Sequence, residues 1–226
     1  MQVGTLATWA QVVGGRRRSI ALTAAGTLWG WGVNEGGVLG DGTATNRNSP
    51  VQVGTLATWS QVAGGAYHTL AIKTDNTLWE WGKGHYGGTD FGNSGYRSSP
   101  VQLGTLATWS RVAGVMYASA AIKTDGTLWT LGHNGAGELG LGDTVKRSSP
   151  VQVGTLATWS SITAGPSGSK HFLAIKTDGT MWGWGNNTSG QLGQADVAYR
   201  SSPVQVGTLN TWNTAAAGHD DSLGLR

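Results

Sequence analysis

Residues 51–100 read VQVGTLATWSQVAGGAYHTLAIKTDNTLWEWGKGHYGGTDFGNSGYRSSP, and the text then starts again. Light variants of it occupy 101–150 and 151–203, a copy with a changed first residue fills 1–50, and a truncated copy covers 204–226. A Trp keeps the period: Trp9, Trp59, Trp109, Trp159 and Trp212 are spaced by 50, 50, 50 and 53 residues. Internal repetition at this length signals a propeller, a solenoid or an array. Residues 1–226 are therefore expected to form one repeat-built domain.

Inside one copy the pattern is that of short strands. Val51 and Val53 share a face with Gln52 opposite, the two-residue period of a strand, and Pro50 is tolerated at a strand's first position. After a turn at 54–58, Trp59–Gly65 reads as a second strand whose paired glycines let backbones approach closely, as they must near a propeller axis. Thr69–Lys73 and Leu78–Gly82 follow, joined through Asp75-Asn76. The sister copies have Ala25-Gly26, Asp125-Gly126 and Asp178-Gly179 there, a strong hairpin signal that predicts a type I′ turn. Trp79 and Trp81 lie on one face of their strand, as do Trp29 with Trp31 and Trp182 with Trp184, while the third copy has Trp129 and Leu131. A long loop then runs to the next Ser-Pro.

Four strands in a unit of this size predict a propeller blade and an all-β fold. The chain holds five WSQVAGG–LAIK halves but only four LWEWG–SSP halves, or about four and a half blades. Unpaired strand edges are a liability. That argument predicts a closed four- or five-bladed ring, or one completed by oligomerisation, in preference to an open arc.

Composition narrows the classes. Only 12% of residues are charged, Gly numbers 38, and 15 basic residues against 12 acidic ones give a net +3. Nucleic-acid binders show a stronger, clustered basic excess, so nucleic acid is not the expected partner. There is no Cys, which excludes disulfides, thiolate metal sites and thiol nucleophiles. The N-terminal residues lack the basic start and apolar core of a signal peptide, and no apolar run approaches the ~20 residues of a membrane helix. A soluble protein made in the cytoplasm is expected, with incorporation into a virion or other particle as one further fate.

The windows WGWGNNTSGQLG (182–193) and GGAYHTLAIK (64–73), with the recurring SSPVQV, resemble the repeat of the regulator of chromosome condensation family, and the likeness runs through essentially the whole chain. The resemblance implies a β-propeller. It also implies a binding scaffold with exchangeable loops: founding members use seven blades and act on a small GTPase at chromatin, and a bacterial relative inhibits β-lactamase by surface contact. This chain departs from the seven-bladed pattern in its blade number.

Specific function is expected where the copies differ. The turn after the Gly pair reads Arg16-Arg17-Arg18 in the first copy, Ala66-Tyr67-His68 in the second, and Met116-Tyr117 in the third. The fourth copy carries an insertion ending Lys170-His171, and the fifth has His219-Asp220-Asp221. Guanidinium groups pair with phosphate or carboxylate, and exposed aromatics serve at interfaces. The set Arg16, Arg17, Arg18, Tyr67, His68, Tyr86, Tyr117, Lys170, His171 and Asp220 is thus the candidate binding surface, set against simple drift of solvated loops. The loop 83–96, with Lys83, His85, Tyr86, Asp90, Phe91 and Tyr96, is the most singular, although Phe91 replaces a Leu of the sister copies.

The five histidines fall at different repeat positions, so no repeated ligand set exists. Asp41-Gly42-Thr43 and Gly142-Asp143-Thr144 read as turns and lack the six or more oxygen ligands of a calcium site. No catalytic residue, cofactor or metal is expected. The first reading is a non-catalytic protein-binding or structural module meeting a protein partner or other copies of itself, in sharper form a component of a phage virion or surface appendage. The alternatives are a regulator of a small GTPase, by family analogy, and a glycan-binding propeller.

Overall fold

A computed structural model describes residues 8–84, 95–165 and 168–226. It contains four four-stranded antiparallel sheets and a final two-stranded one. Blade 1 comprises β1 (Trp9–Gly15), β2 (Arg18–Thr23), β3 (Leu28–Gly32) and β4 (Arg47–Gln52). Blade 2 comprises β5 (Trp59–Gly64), β6 (His68–Lys73), β7 (Leu78–Lys83) and β8 (Tyr96–Gln102). Blade 3 has β9 (Trp109–Gly114), β10 (Ala118–Lys123), β11 (Leu128–Gly132) and β12 (Arg147–Gln152). Blade 4 has β13 (Trp159–Ala164), β14 (His171–Lys176), β15 (Met181–Gly185) and β16 (Arg200–Gln205), and the half-blade has β17 (Thr214–Ala217) and β18 (Ser222–Leu225).

The structural unit is offset from the textual one. The Pro-Val-Gln strand pairs with the LWxWG strand before it, Trp29 opposite Gln52 and Trp79 opposite Gln102. It closes the preceding blade, and a blade runs from one Trp to the next Gln. Pro50 consequently sits inside β4, on the outer edge of its sheet, where a missing donor breaks no ladder bond. The LAIK–LWxW hairpin forms as expected, but its turn is of another kind. Only the second central residue has positive φ, Asn76 at 62° and Gly126 at 82°. Asn76 N donates to Lys73 O and Lys73 N donates to Thr77 O. This is a type I turn closed by a left-handed residue, the three-residue hairpin alternative to type I′. Asp75 reinforces it by accepting from Thr77 N and Thr77 Oγ1 at 3.0 and 2.6 Å, and blade 1 forms the same turn with Ala25 at that position, Gly26 having a φ of 78°.

The Trp-led strands are innermost, and successive blades meet there. The expected close approach is present: a Cβ on Gly64 would lie 2.7 Å from Gly14 O, and one on Gly114 2.9 Å from Gly65 N. Side-chain amides bridge this seam, since Gln11 Nε2 donates to Val62 O at 2.9 Å and Gln61 Oε1 accepts from Val112 N at 2.7 Å. Further out, Ile20, Leu28 and Leu39 of blade 1 pack on Trp59, Val62 and Trp81 of blade 2, and the two later seams repeat the arrangement. Trp81 and Trp184 are completely buried. At about 25 cal/mol per Å2, burying a ring of this size contributes roughly 4 kcal/mol.

The described blades form an arc open at both ends. Val12 is 60% exposed where its equivalent Val62 is 1% exposed, and Leu223 and Leu225 are 68% and 66% exposed where Leu70 and Ile72 are 1% and 2%. Trp31 is only half-buried, where its equivalents Trp81 and Trp184 are buried.

Candidate protein-interaction surface

In each blade the turn between the first two strands and the loop after the third lie at the same end of the sheet, so one face of the arc gathers the variable residues. Tyr67 and Tyr117, equivalent turn positions of blades 2 and 3, stack with centroids 5.0 Å apart at an interplanar angle of 4°. Arg16 reaches across from blade 1, its guanidinium donating to Tyr67 Oη and lying 5.2 Å from the ring centroid. Lys83, at the start of the blade 2 loop, holds its ammonium 5.5 Å from Tyr67 and 5.6 Å from Tyr96. Glu35 of blade 1 steadies it, with Nζ 3.4 Å from Oε1. His133, in the matching position of blade 3, meets the edge of Tyr117 at 6.2 Å. A cleft of about 350 Å3 opens beside Tyr96, lined by Gly36, Gly37, Thr43 and Ser98. The result is a continuous row of aromatic and cationic groups across three blades, exposed or half-buried throughout.

Of the expected residues, the structure brings Arg16, Tyr67 and Tyr117 together. Arg17 lies beside them, exposed, at a left-handed φ of 59°. Tyr86, His85, Asp90 and Phe91 lie outside the described residues. Lys170 is half-buried and Asp220 exposed at the corresponding turns of blade 4 and the half-blade, where Asp220 pairs with His219 at 2.7 Å.

Arg18, His68 and His171 are placed elsewhere. They occupy one repeat position, the first residue of the second strand, so His68 and His171 are equivalent and the expectation that all five histidines differ in repeat position is corrected; all three side chains point into the seam toward the next blade. Arg18 is 5% exposed and donates to Ala66 O, Gly65 O and His68 O at 2.7, 2.9 and 2.6 Å, and to Thr69 Oγ1 at 3.3 Å. Burial lowers its pKa to about 10, so it remains a cation at neutrality. His68 Nε2 is hydrogen-bonded to Ser119 Oγ at 2.9 Å, and His171 Nε2 to Ser222 Oγ at 3.1 Å. Burial, reinforced by the charge of Arg18, pushes the His68 imidazole down to about 3. Burial takes His171 to about 4, against the opposing pull of Asp220 and Asp221. These three side chains join blades and are withdrawn from the contact face. Sequence reading singled out the loop that begins at Lys83 and ends at Tyr96 but left both out of the candidate set, and it did not put forward His133, because only the pairing of strands shows that the post-LWxWG loop returns beside the turn.

The loop aspartates serve the loops themselves. Asp41 accepts from Asn34 Nδ2, Thr43 N and Thr43 Oγ1 and pairs with Arg47 at 2.6 Å. Asp143 with Arg147 and Asp196 with Arg200 repeat the arrangement at 2.5 and 2.6 Å. Among the described residues no group of three or more His, Asp or Glu gathers to hold a metal, and no helix is long and apolar enough to cross a membrane.

The family model described as "Regulator of chromosome condensation (RCC1) repeat" matches residues 25–72, 125–175 and 178–225, more than half of the chain, and a second model of the same description matches 59–87 and 160–191. The chain belongs to this repeat family. Among solved structures, human WBSCR16 is similar at 23% identity and a TM-score of 0.89, over 100% of this chain and 60% of that one. Prp20p from Saccharomyces cerevisiae, described with its binding to Gsp1p and histones, is similar at 20% identity and a TM-score of 0.83, over 99% of this chain and 57% of that one. The same yeast protein bound to Kap60 aligns at 20% identity and 0.83, over 99% and 55%. No curated protein matches the sequence. The chain spans 60% or less of the length of these structures.

Proposed function

We propose that this propeller segment is a non-catalytic protein-binding module whose contact surface is the aromatic and cationic row on blades 1 to 3, and that it takes an acidic segment of a partner protein. The stacked Tyr67–Tyr117 pair, flanked by Arg16 and Lys83, is the observation that carries this reading. Two rings held in register by neighbouring blades offer apolar area at small entropic cost. The bordering guanidinium and ammonium groups favour carboxylates, with Arg able to engage them through two parallel bonds. Partners named for the similar yeast protein, Gsp1p, histones and Kap60, are all proteins, which agrees with the class of ligand.

The test is fluorescence anisotropy with labelled acidic peptides containing an aromatic residue, beside their charge-reversed counterparts. Saturable binding of the acidic set is expected, weakened at least tenfold by Arg16→Ala with Tyr67→Ala and falling as salt is raised. Equal affinity for both sets, or indifference to the double substitution, would sink the proposal.

A further inference from the structure

The seam between blades 3 and 4 holds a cleft of about 340 Å3, and both of the blades that wall it are complete. Leu141, Val153 and Leu156 line it from the blade 3 side, Pro203 and the rings of Trp159 and Trp182 from blade 4. Leu141 stands where blade 1 carries Asp41, in the matching stretches Leu-Gly-Asp-Gly (39–42) and Leu-Gly-Leu-Gly (139–142). Asp41 turns back to its own loop and pairs with Arg47, whereas Leu141 packs against the core of its seam. The exchange puts an apolar side chain on this seam at the position of a carboxylate.

A cation completes the lining. Lys176 closes β14 at the end of its sheet opposite the variable turns, and it is 8% exposed. Its Nζ lies 3.6 Å from the ring centroid of Trp182 and 4.9 Å from that of Trp159. Ring faces attract the charge but leave the ammonium's N–H donors without an oxygen, and among the described residues no acceptor or carboxylate is bonded to Nζ. Asp178, whose charge acts on it, is itself held by Thr180 N and Thr180 Oγ1 at 2.9 and 2.6 Å. Burial accordingly lowers the Lys176 pKa. A second donor of the lining, Trp159 Nε1, is buried without a hydrogen-bond partner, as are its equivalents Trp59 Nε1 and Trp109 Nε1.

We propose that this cleft binds a small organic acid with an aromatic body, its carboxylate paired with the Lys176 ammonium and its ring set against Leu141, Leu156 and the two indoles. The volume lies at the lower end of the roughly 300–1,000 Å3 of small-molecule sites, and an apolar lining with few polar groups is their usual character. A desolvated cation with donors to spare selects an anion. Lys73 sits on Trp79 and Trp59 in the same way at the first seam, but there Asp41 replaces the apolar wall and its charge opposes an anion. The site is separate from the protein-contact row, which lies at the other end of the sheets.

The experiment titrates 3-phenylpropionate into the whole chain and follows the backbone and indole N–H resonances by NMR. Saturable binding with a Kd of ~0.1–1 mM is expected, with shifts centred on residues 139–142, 153–156 and Trp182. 3-Phenylpropanamide, which keeps the shape without the charge, and propionate, which keeps the charge without the ring, should each bind at least tenfold more weakly. Lys176→Met keeps the stem and removes the ammonium, and Leu141→Asp installs the residue that blade 1 already accommodates; each should cost at least tenfold, while Lys73→Met at the first seam should leave binding unchanged. The Leu141→Asp chain keeps the test decisive if Lys176→Met does not fold. No saturation up to ~10 mM, equal affinity for the amide, undiminished binding by a folded Lys176→Met or Leu141→Asp chain, or an equal loss with Lys73→Met overturns the proposal.

Discussion

Lowering the pH from 7 to 5 should weaken this protein through two imidazoles in its seams. His68 and His171 have folded pKa values of about 3 and about 4, against an ordinary 6.5. A depressed histidine takes up its proton in the unfolded chain first. Its contribution is complete above pH 6.5 and is lost as pH falls from there toward the folded value. At pH 5 the unfolded chain gains about 2 kcal/mol per imidazole, so the pair costs about 4 kcal/mol, a large part of a typical 5–15 kcal/mol. Six aspartates lie outside the window. Asp41, Asp75, Asp125, Asp143, Asp178 and Asp196 are all held below 3.8, and their contribution is lost only as pH drops past that region. Urea unfolding followed by Trp fluorescence should show the midpoint falling by more than about 1 M between pH 7 and 5. The double variant His68→Gln with His171→Gln, which keeps an amide able to bond Ser119 and Ser222 but cannot titrate, should flatten the response. An unchanged midpoint in the parent, or an equally steep fall in the double variant, would refute the reasoning.

Arg18→Ala strips three main-chain carbonyls and Thr69 of a buried cationic donor and should cost about 3 kcal/mol or more, with Arg18→Lys recovering part of it, read by thermal melts. Gly40→Ala combines a left-handed φ of 81° with a contact on Trp81 and should cost at least 3 kcal/mol. Gly193→Ala carries only the backbone term of about 1–2 kcal/mol, so the two melts should differ clearly. Tyr67→Ala and Tyr117→Ala, on the open face, should each shift stability by about 1 kcal/mol or less while removing peptide binding in the anisotropy assay.

The period, the strand content and the blade were all legible, because Trp9 through Trp212 recur at intervals of 50, 50, 50 and 53 residues. What the sequence could not show depends on pairing between copies. Pro50-Val51-Gln52 looks like the start of a unit, yet it finishes the previous blade, since only hydrogen bonding decides which neighbour a short strand joins. The hairpin was evident from Asp75-Asn76, but its turn type is set by backbone bonding that the sequence does not display, since Ala25-Gly26 forms the same turn without an Asp. Arg18 and His68 looked like surface residues because they adjoin a turn. The strand begins one residue earlier than a turn-centred reading suggests, and that turns both side chains into the seam. The cost of open edges predicts a ring closed on itself or completed by oligomerisation, a general pressure that does not say which; among the described residues Val12 and Leu223 lie in solvent.

The offset between textual repeat and structural blade bears on how the array comes apart. Each repeat lends its opening Val-Gln to the outer strand of the blade before it, so that strand straddles two copies of the text: β4 runs Arg47–Gln52 and β12 Arg147–Gln152. A chain cut at the text boundary loses the last two residues of that strand. In a chain of nearest-neighbour units this linkage raises the coupling between adjacent blades above what face-to-face packing supplies. Truncation at a Pro-Val junction of the text should therefore weaken the last remaining blade, whereas truncation just before a Trp should leave that blade with its outer strand complete.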